Sequence, residues 1–192
     1  MRFLFSSGQN LFLALDGDEC TFPLYDNRKG DHHVKKSGSI ELKHFSEVHS
    51  AALLEFELPE EQHRFTALPK EVLKRTDGQF PIVMLSEGKP VGFFILHATE
   101  RVKDYSDNPE AMLLTALSVD RKHQGKGFAK EGMLKLPEFV AKAFTHCHEI
   151  VLVVNVKNTA AQHLYVKAGF ADTGERKTGP IGEQIVMKLN IK

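Results

Sequence analysis

Leu117-Ser118-Val119-Asp120-Arg121-Lys122-His123-Gln124-Gly125-Lys126-Gly127-Phe128-Ala129 is the stretch on which the reading of this chain turns. An apolar run that starts at Met112 ends at Val119, and a polar loop with two glycines follows. From Gly127 to about Phe144 the apolar residues Ala129, Met133, Leu136, Val140 and Ala143 keep to one face of a 3.6-residue period. The order is therefore strand, loop, helix, with Pro137 expected to kink the helix. Such an arrangement gathers the unpaired N–H groups of the helix's first turn and the positive end of its dipole at one point, which suits a phosphate. A tight turn that needs glycine only for its own backbone gives the same pattern.

What the loop fails to match narrows the ligand. A P-loop requires Ser or Thr after Gly-Lys to reach magnesium, but Gly127 follows Lys126, and no second glycine stands five residues upstream of Gly125. A dinucleotide fingerprint that began at Gly125 would need a small third residue where Lys130 stands, and that side chain would obstruct helix-to-strand packing.

Downstream, a buried strand is expected over 150–154, a helix over 159–168 stopped by Gly169, and two last strands from Phe170 and over 183–189. Upstream, Pro81-Ile82-Val83-Met84-Leu85 and Val91-Gly92-Phe93-Phe94-Ile95-Leu96 flank a turn and form an antiparallel hairpin, followed by a polar loop over 99–109. Ile40-Glu41-Leu42-Lys43 alternates as a short strand. Ser46 is placed to cap an amphipathic helix carrying Val48, Ala51, Ala52, Leu53 and Phe56. Pro59-Glu60-Glu61 and Pro69 open two further short helices. The expected fold class is α/β: a mixed, mostly antiparallel sheet with helices on both faces. Residues 38–192 form this domain, and residues 1–37, with apolar runs at 2–5 and 11–15, form an N-terminal extension read as a hairpin and loop.

Composition sets the outer limits. The 192 residues suffice for one domain with a full core, and 42% hydrophobic with 26% charged residues excludes disorder and fibrous classes. Lys plus Arg and Asp plus Glu number 25 each, so no global field draws nucleic acid or an anionic membrane. Cys20 and Cys147 are too few for a disulfide framework, no secretory cleavage site follows Leu15, and no run approaches membrane-spanning length, so the expected compartment is the cytoplasm. His146-Cys147-His148 lacks the second ligand pair that zinc requires, and no metal is expected.

Gln124-Gly125-Lys126-Gly127-Phe128-Ala129 resembles the Gln/Arg-x-x-Gly-x-Gly/Ala signature of the GCN5-related N-acetyltransferase (GNAT) superfamily. Asn155-Val156-Lys157-Asn158-Thr159-Ala160-Ala161-Gln162-His163-Leu164-Tyr165-Val166-Lys167-Ala168-Gly169-Phe170 is similar to that family's downstream Asn-x-x-Ala-x-x-Leu-Tyr-x-x-x-Gly-Phe region. Glu61-Gln62-His63-Arg64-Phe65 with Val91-Gly92-Phe93 adds a fainter likeness to bacterial polyamine acetyltransferases. The resemblance implies transfer of an acetyl group from acetyl-coenzyme A, the co-substrate, to an amine by direct attack in a ternary complex. A small amine such as a polyamine is the first expectation and a protein amine the second. It implies that Gln124, Gly125, Lys126, Gly127, Phe128 and Ala129 hold the pyrophosphate. It also implies a bulge in the preceding strand, where Leu117, Ser118 and Val119 meet the cofactor and a backbone N–H polarises the thioester carbonyl. The competing class is a non-catalytic coenzyme A-binding or interaction module of the same fold. A homodimer stays open as a partner.

Two residues of the second block carry double readings. Tyr165 falls with Ala161, Leu164 and Ala168 on one helical stripe and reads as core, whereas the resemblance makes it the phenol that protonates the leaving coenzyme A thiolate. Asn158 reads as an N-cap or as a contact to the pantetheine arm. Glu100 and Glu110 read as surface carboxylates, so the general base is left unassigned. Glu55, Glu57, Glu60 and Glu61 read either as a solvated face or as a cluster that attracts a cationic acceptor.

Overall fold

The computed structural model describes residues 39–74 and 76–191. Seven strands are present among them: β1 (Ile40–His44), β2 (Gln79–Ser86), β3 (Lys89–His97), β4 (Ala111–Val119), β5 (Glu149–Asn155), β6 (Ala171–Gly179) and β7 (Gly182–Asn190). They make one sheet in the order β1-β2-β3-β4-β5-β7-β6. Every neighbouring pair is antiparallel except β4 and β5, which run parallel. The helices are α1 (Ser50–Leu54), α2 (Pro69–Val72), α3 (Phe128–Ala143) and α4 (Thr159–Lys167).

Because side chains alternate across a strand, the sheet presents two apolar faces. On one, Phe128, Met133, Leu136 and Val140 of α3, with Tyr165 and Ala168 from α4 and its cap, pack on Ile82, Met84, Phe94, Leu96, Met112 and Leu114. On the other, Leu53, Phe56, Leu58 and Leu68 cover Val83, Leu85, Phe93 and Ile95. Leu136 and Phe94 are fully buried, and truncation of either to alanine costs about 2–5 kcal/mol. Gly132 lets α3 sit close to the sheet, since a Cβ there would collide with the Met84 thioether.

The expected mixed sheet with helices on both faces is present, and α3 runs unbroken through Pro137. The segment between β1 and β2 departs from expectation. Instead of one amphipathic helix from Ser46, a 3₁₀ turn (Glu47–His49) precedes α1, and its three-residue period turns Val48 outward, where it is 85% exposed. Pro59-Glu60-Glu61 yields only a 3₁₀ turn (Glu60–Gln62), and the polar loop after β3 contains another (Glu100–Asp104). The N-terminal hairpin expected over 1–37 lies outside the described residues. Among those described, no helix is long and apolar enough to cross a membrane.

Candidate active site

The parallel pairing of β4 with β5 lasts for three residues: Ala111 faces Glu149, Met112 faces Ile150 and Leu113 faces Val151. Beyond them the strands part. The parting coincides with a bulge on the other side of β4, where Phe93 opposes Ser118 but Ile95 opposes Thr115, so that β4 carries one residue more than β3. Ala116 sits at that extra residue with φ of +55°, a left-handed conformation unusual for a side chain with a Cβ. A cavity of 680 Å³ opens between the splayed ends, walled by β4 from Leu114, β5 from Val153, the start of α3, α4 and the segment over 61–66.

The loop after β4 enters α3 through Gly127, whose φ of +81° places it in the left-handed region at the N-cap. The first intrahelical bond is donated by the Glu131 N–H to the Gly127 carbonyl, 3.0 Å, leaving the N–H groups of Phe128, Ala129 and Lys130 without intrahelical partners. A Cβ at Gly127 would meet nothing within 4 Å, so the space before the helix end is open. Burial, and then the Lys126 charge, lower the pKa of nearby His123, so the ring stays neutral to a lower pH than an ordinary histidine.

Leu117, Ser118, Val119, Gln124, Gly125, Gly127, Phe128, Ala129, Asn158 and Tyr165 all line this one cavity, whereas Lys126 does not. Phe128 is buried in the α3 core, so its N–H rather than its ring is free to serve a ligand. The Gln124 side chain is occupied: its amide donates to the Val119 carbonyl at 2.8 Å and to Gln62 Oε1 at 3.1 Å, and Gln62 returns a bond to Gln124 Oε1 at 3.1 Å. The Asn158 side chain caps α4 by accepting from the Ala161 N–H at 3.2 Å. The Ser118 hydroxyl is buried and has no hydrogen-bond partner among the described residues.

Tyr165 is 8% exposed and its ring meets Phe170 edge-on at 5.5 Å, so its core reading holds. It also lines the cavity, and its hydroxyl has no protein hydrogen bond among the described residues. Burial pushes the phenol well above its ordinary value, which keeps the proton on the oxygen at any working pH.

The opposite wall is tied to β4 and its loop by main-chain and side-chain bonds. Thr66 Oγ1 donates to the Leu117 carbonyl at 3.1 Å, and the Arg121 N–H donates to the Glu57 carbonyl at 2.8 Å. Glu61, Gln62, Arg64 and Phe65 face the cavity from this wall, with the Arg64 guanidinium 4.7 Å from the Phe65 ring centre. Of the acidic cluster only Glu61 lines it. Glu100 is exposed and paired with Lys103, Glu110 is exposed beside His148, and neither lines the cavity. Cys147 is buried where burial raises its thiol pKa, at the far end of β5. Among the described residues no three His, Cys, Asp or Glu side chains gather as a metal site.

Gln62 carries a family likeness in the sequence but no site role, and no local signal points to its bond with Gln124, to Thr66, whose contact is also tertiary, or to the pairing of His97 with Thr115. His97 Nε2 lies 2.6 Å from Thr115 Oγ1, and Thr115 lines the cavity. Thr115, like Ser118, interrupts the nearly continuous apolar run of β4, and that is the signal available.

The model described as the Acetyltransferase (GNAT) family matches residues 45–170. A Bacillus subtilis (strain 168) protein named uncharacterized N-acetyltransferase YbbJ is 48% identical over 152 residues, which are 77% of this chain and 95% of that protein. The spermine/spermidine N(1)-acetyltransferase of the same organism is 26% identical over 153 residues, 78% of this chain and 98% of the relative. Among solved structures, aminoglycoside acetyltransferase AAC(6')-Ib with acetyl-coenzyme A superposes with a TM-score of 0.63 at 18% identity, covering 79% of this chain and 93% of that one. Spermidine N-acetyltransferase from Vibrio cholerae, in complex with coenzyme A and spermine, superposes with a TM-score of 0.54 at 18% identity, covering 80% and 96%. At these identities the structural likeness is one of fold.

Proposed function

The chain belongs to the acetyltransferase (GNAT) family and is an acetyl-coenzyme A-dependent N-acetyltransferase; we propose that a small primary amine attacks the bound thioester directly, in a ternary complex within the cavity between β4 and β5. One observation carries this reading: the parting of β4 from β5 after three pairs, which leaves strand edges open inside the sheet beside the N-terminus of α3. Backbone N–H and C=O groups left unpaired in a protein interior cost about 1–3 kcal/mol each, so an open internal edge calls for a ligand with its own amides. The pantetheine arm has two. The adjoining helix end supplies N–H groups and positive potential for a pyrophosphate, and Gly127 leaves room for its approach.

On this reading the backbone from Gly125 to Ala129 holds the pyrophosphate, and Lys130, which lines the same cavity, adds its charge. Gln124 acts by shaping the loop, because its own amide is spent on Val119 and Gln62. A backbone N–H at the bulge near Leu117 or Val119 polarises the thioester carbonyl, an electrostatic contribution of the oxyanion-hole kind. The amine must arrive neutral, whereas in water a primary amine with a pKa near 10 is about 0.1% neutral at pH 7. As the C–N bond forms and the C–S bond breaks, the nitrogen gives up a proton to solvent and the sulfur leaves as a thiolate, which takes its proton from solvent. Tyr165, held protonated, donates from its hydroxyl to the departing sulfur. Since its pKa lies above that of a thiol, it acts chiefly through this hydrogen bond.

A polyamine is the acceptor proposed first and a protein amine second. The 26% identical relative named for spermine and spermidine supports the former, as does Glu61 at the cavity mouth. The test is release of free coenzyme A thiol from acetyl-coenzyme A across a panel of polyamines, aminoglycosides and lysine peptides, with mass spectrometry of the acceptor. Thiol release that depends on an amine, with a matching acetylated product, is expected. Acetyl-coenzyme A binding without turnover on any amine would leave a binding module.

A further inference from the structure

We propose that Thr115, held by His97, is the hydroxyl that receives the acceptor's nitrogen and turns its lone pair toward the thioester. Leu114 belongs to the core under α3 and Ile95 to the core under α1, so alternation places both Thr115 and His97 on the α1 side of the sheet. That is the side from which Glu61, Gln62, Arg64 and Thr66 close the cavity. Thr115 is the last residue of β4 before the bulge at Ala116, and the reading above, on which this inference rests, puts the thioester carbonyl just beyond that bulge, near Leu117 or Val119. His97 is 5% exposed at the end of β3, and its Nε2 is 2.6 Å from Thr115 Oγ1. Burial, followed by the Arg101 charge, lowers its pKa to about 4, so the ring is neutral at working pH and carries a lone pair. With the His97 proton on Nδ1, the Thr115 hydroxyl donates to Nε2 and keeps its own oxygen lone pairs for a donor, and an amine N–H is one. The threonine χ1 stiffness and the short bond to His97 fix where that acceptor points. His97 touches no substrate in this scheme and acts by positioning Thr115. No proton is transferred to either residue.

The test compares Thr115→Val, Thr115→Ser and His97→Leu with the wild type in steady-state kinetics on the amine that the panel identifies, alongside acetyl-coenzyme A titration. Thr115→Val keeps the shape and deletes the hydroxyl; it is expected to lower kcat/KM for the amine by about tenfold or more while the acetyl-coenzyme A Kd stays within about twofold. Thr115→Ser, which restores the hydroxyl, is expected to recover most of the loss. His97→Leu is expected to lower kcat/KM for the amine, and the Thr115→Val/His97→Leu double variant to be no worse than the more impaired single one. Wild-type kcat/KM in Thr115→Val, or Thr115→Ser as impaired as Thr115→Val, would overturn the proposal. A His97→Leu enzyme that melts lower but keeps wild-type kcat/KM would reduce His97 to a packing residue and overturn its part. A wild type that acetylates no amine would instead overturn the catalytic reading, and this inference with it.

Discussion

The two walls of the cavity are built by different means. The wall made of the loop after β4, α3 and α4 is set largely by two short sequence motifs: left-handed Gly125 and Gly127 with the free first turn of α3 in one, and the Asn158 side-chain cap of α4 in the other. The facing wall, from Glu57 to Thr66, has one 3₁₀ turn and no long helix, and is held by ties to β4 and its loop through Gln62, Thr66 and the Glu57 carbonyl. A wall of the first kind serves an invariant group such as a pyrophosphate. A wall of the second kind can change its side chains without disturbing the fold, which suits the partner that varies, the acceptor.

Mutations should therefore separate into those that harm chemistry or cofactor binding and those that touch only the acceptor. The largest effect is expected for Tyr165→Phe, which keeps the ring against Phe170 and removes only the hydroxyl. Its kcat should fall by roughly 100-fold with acetyl-coenzyme A affinity unchanged, and wild-type turnover where chemistry limits the rate would leave Tyr165 as core alone. Gly127→Val forces a β-branched residue to φ of +81° and puts methyl groups where phosphate should approach. Calorimetry should show acetyl-coenzyme A binding at least about tenfold weaker, or about 1.4 kcal/mol, in a folded protein.

The ties between the walls give a smaller effect. Gln62→Leu loses its two bonds with Gln124, so the acceptor KM should rise about fivefold, the worth of one or two net hydrogen bonds, with kcat nearly constant. A loss confined to acetyl-coenzyme A affinity would place Gln62 with the other wall. The smallest effect belongs to Glu61→Gln. If the acceptor is cationic, its KM should rise about threefold at low ionic strength and return toward wild type in salt, because exposed charges are screened over about 10 Å at 0.1 M. Neutralising Glu55, Glu57 and Glu60 together should leave KM alone, since none of the three lines the cavity.

The same contrast explains what could be read from the sequence. Glycine spacing, the helical periods of α3 and α4 and the apolar runs of β2, β3 and β4 are local signals, and they locate the loop, the order of elements and Tyr165 on its inward stripe. Val48 was misplaced because a 3₁₀ turn replaced the helical period at Glu47. Lys126 belongs to the motif but not to the cavity lining, since a motif marks loop backbone and not the direction of each side chain. Gln62 meeting Gln124 and His97 meeting Thr115 join residues 62 and 18 positions apart, and nothing local encodes which pairs the fold will bring together.

The central claim is that the opening between β4 and β5, and not the outer surface of the sheet, receives the acetyl donor. A crystal structure with coenzyme A bound tests it most directly. The account predicts the pantetheine arm lying between Leu114–Val119 and Val153–Asn155, the pyrophosphate on the N–H groups from Gly125 to Ala129, and the sulfur within reach of the Tyr165 hydroxyl. Coenzyme A bound elsewhere, with β4 and β5 still apart and their inner edges facing only water, would contradict it.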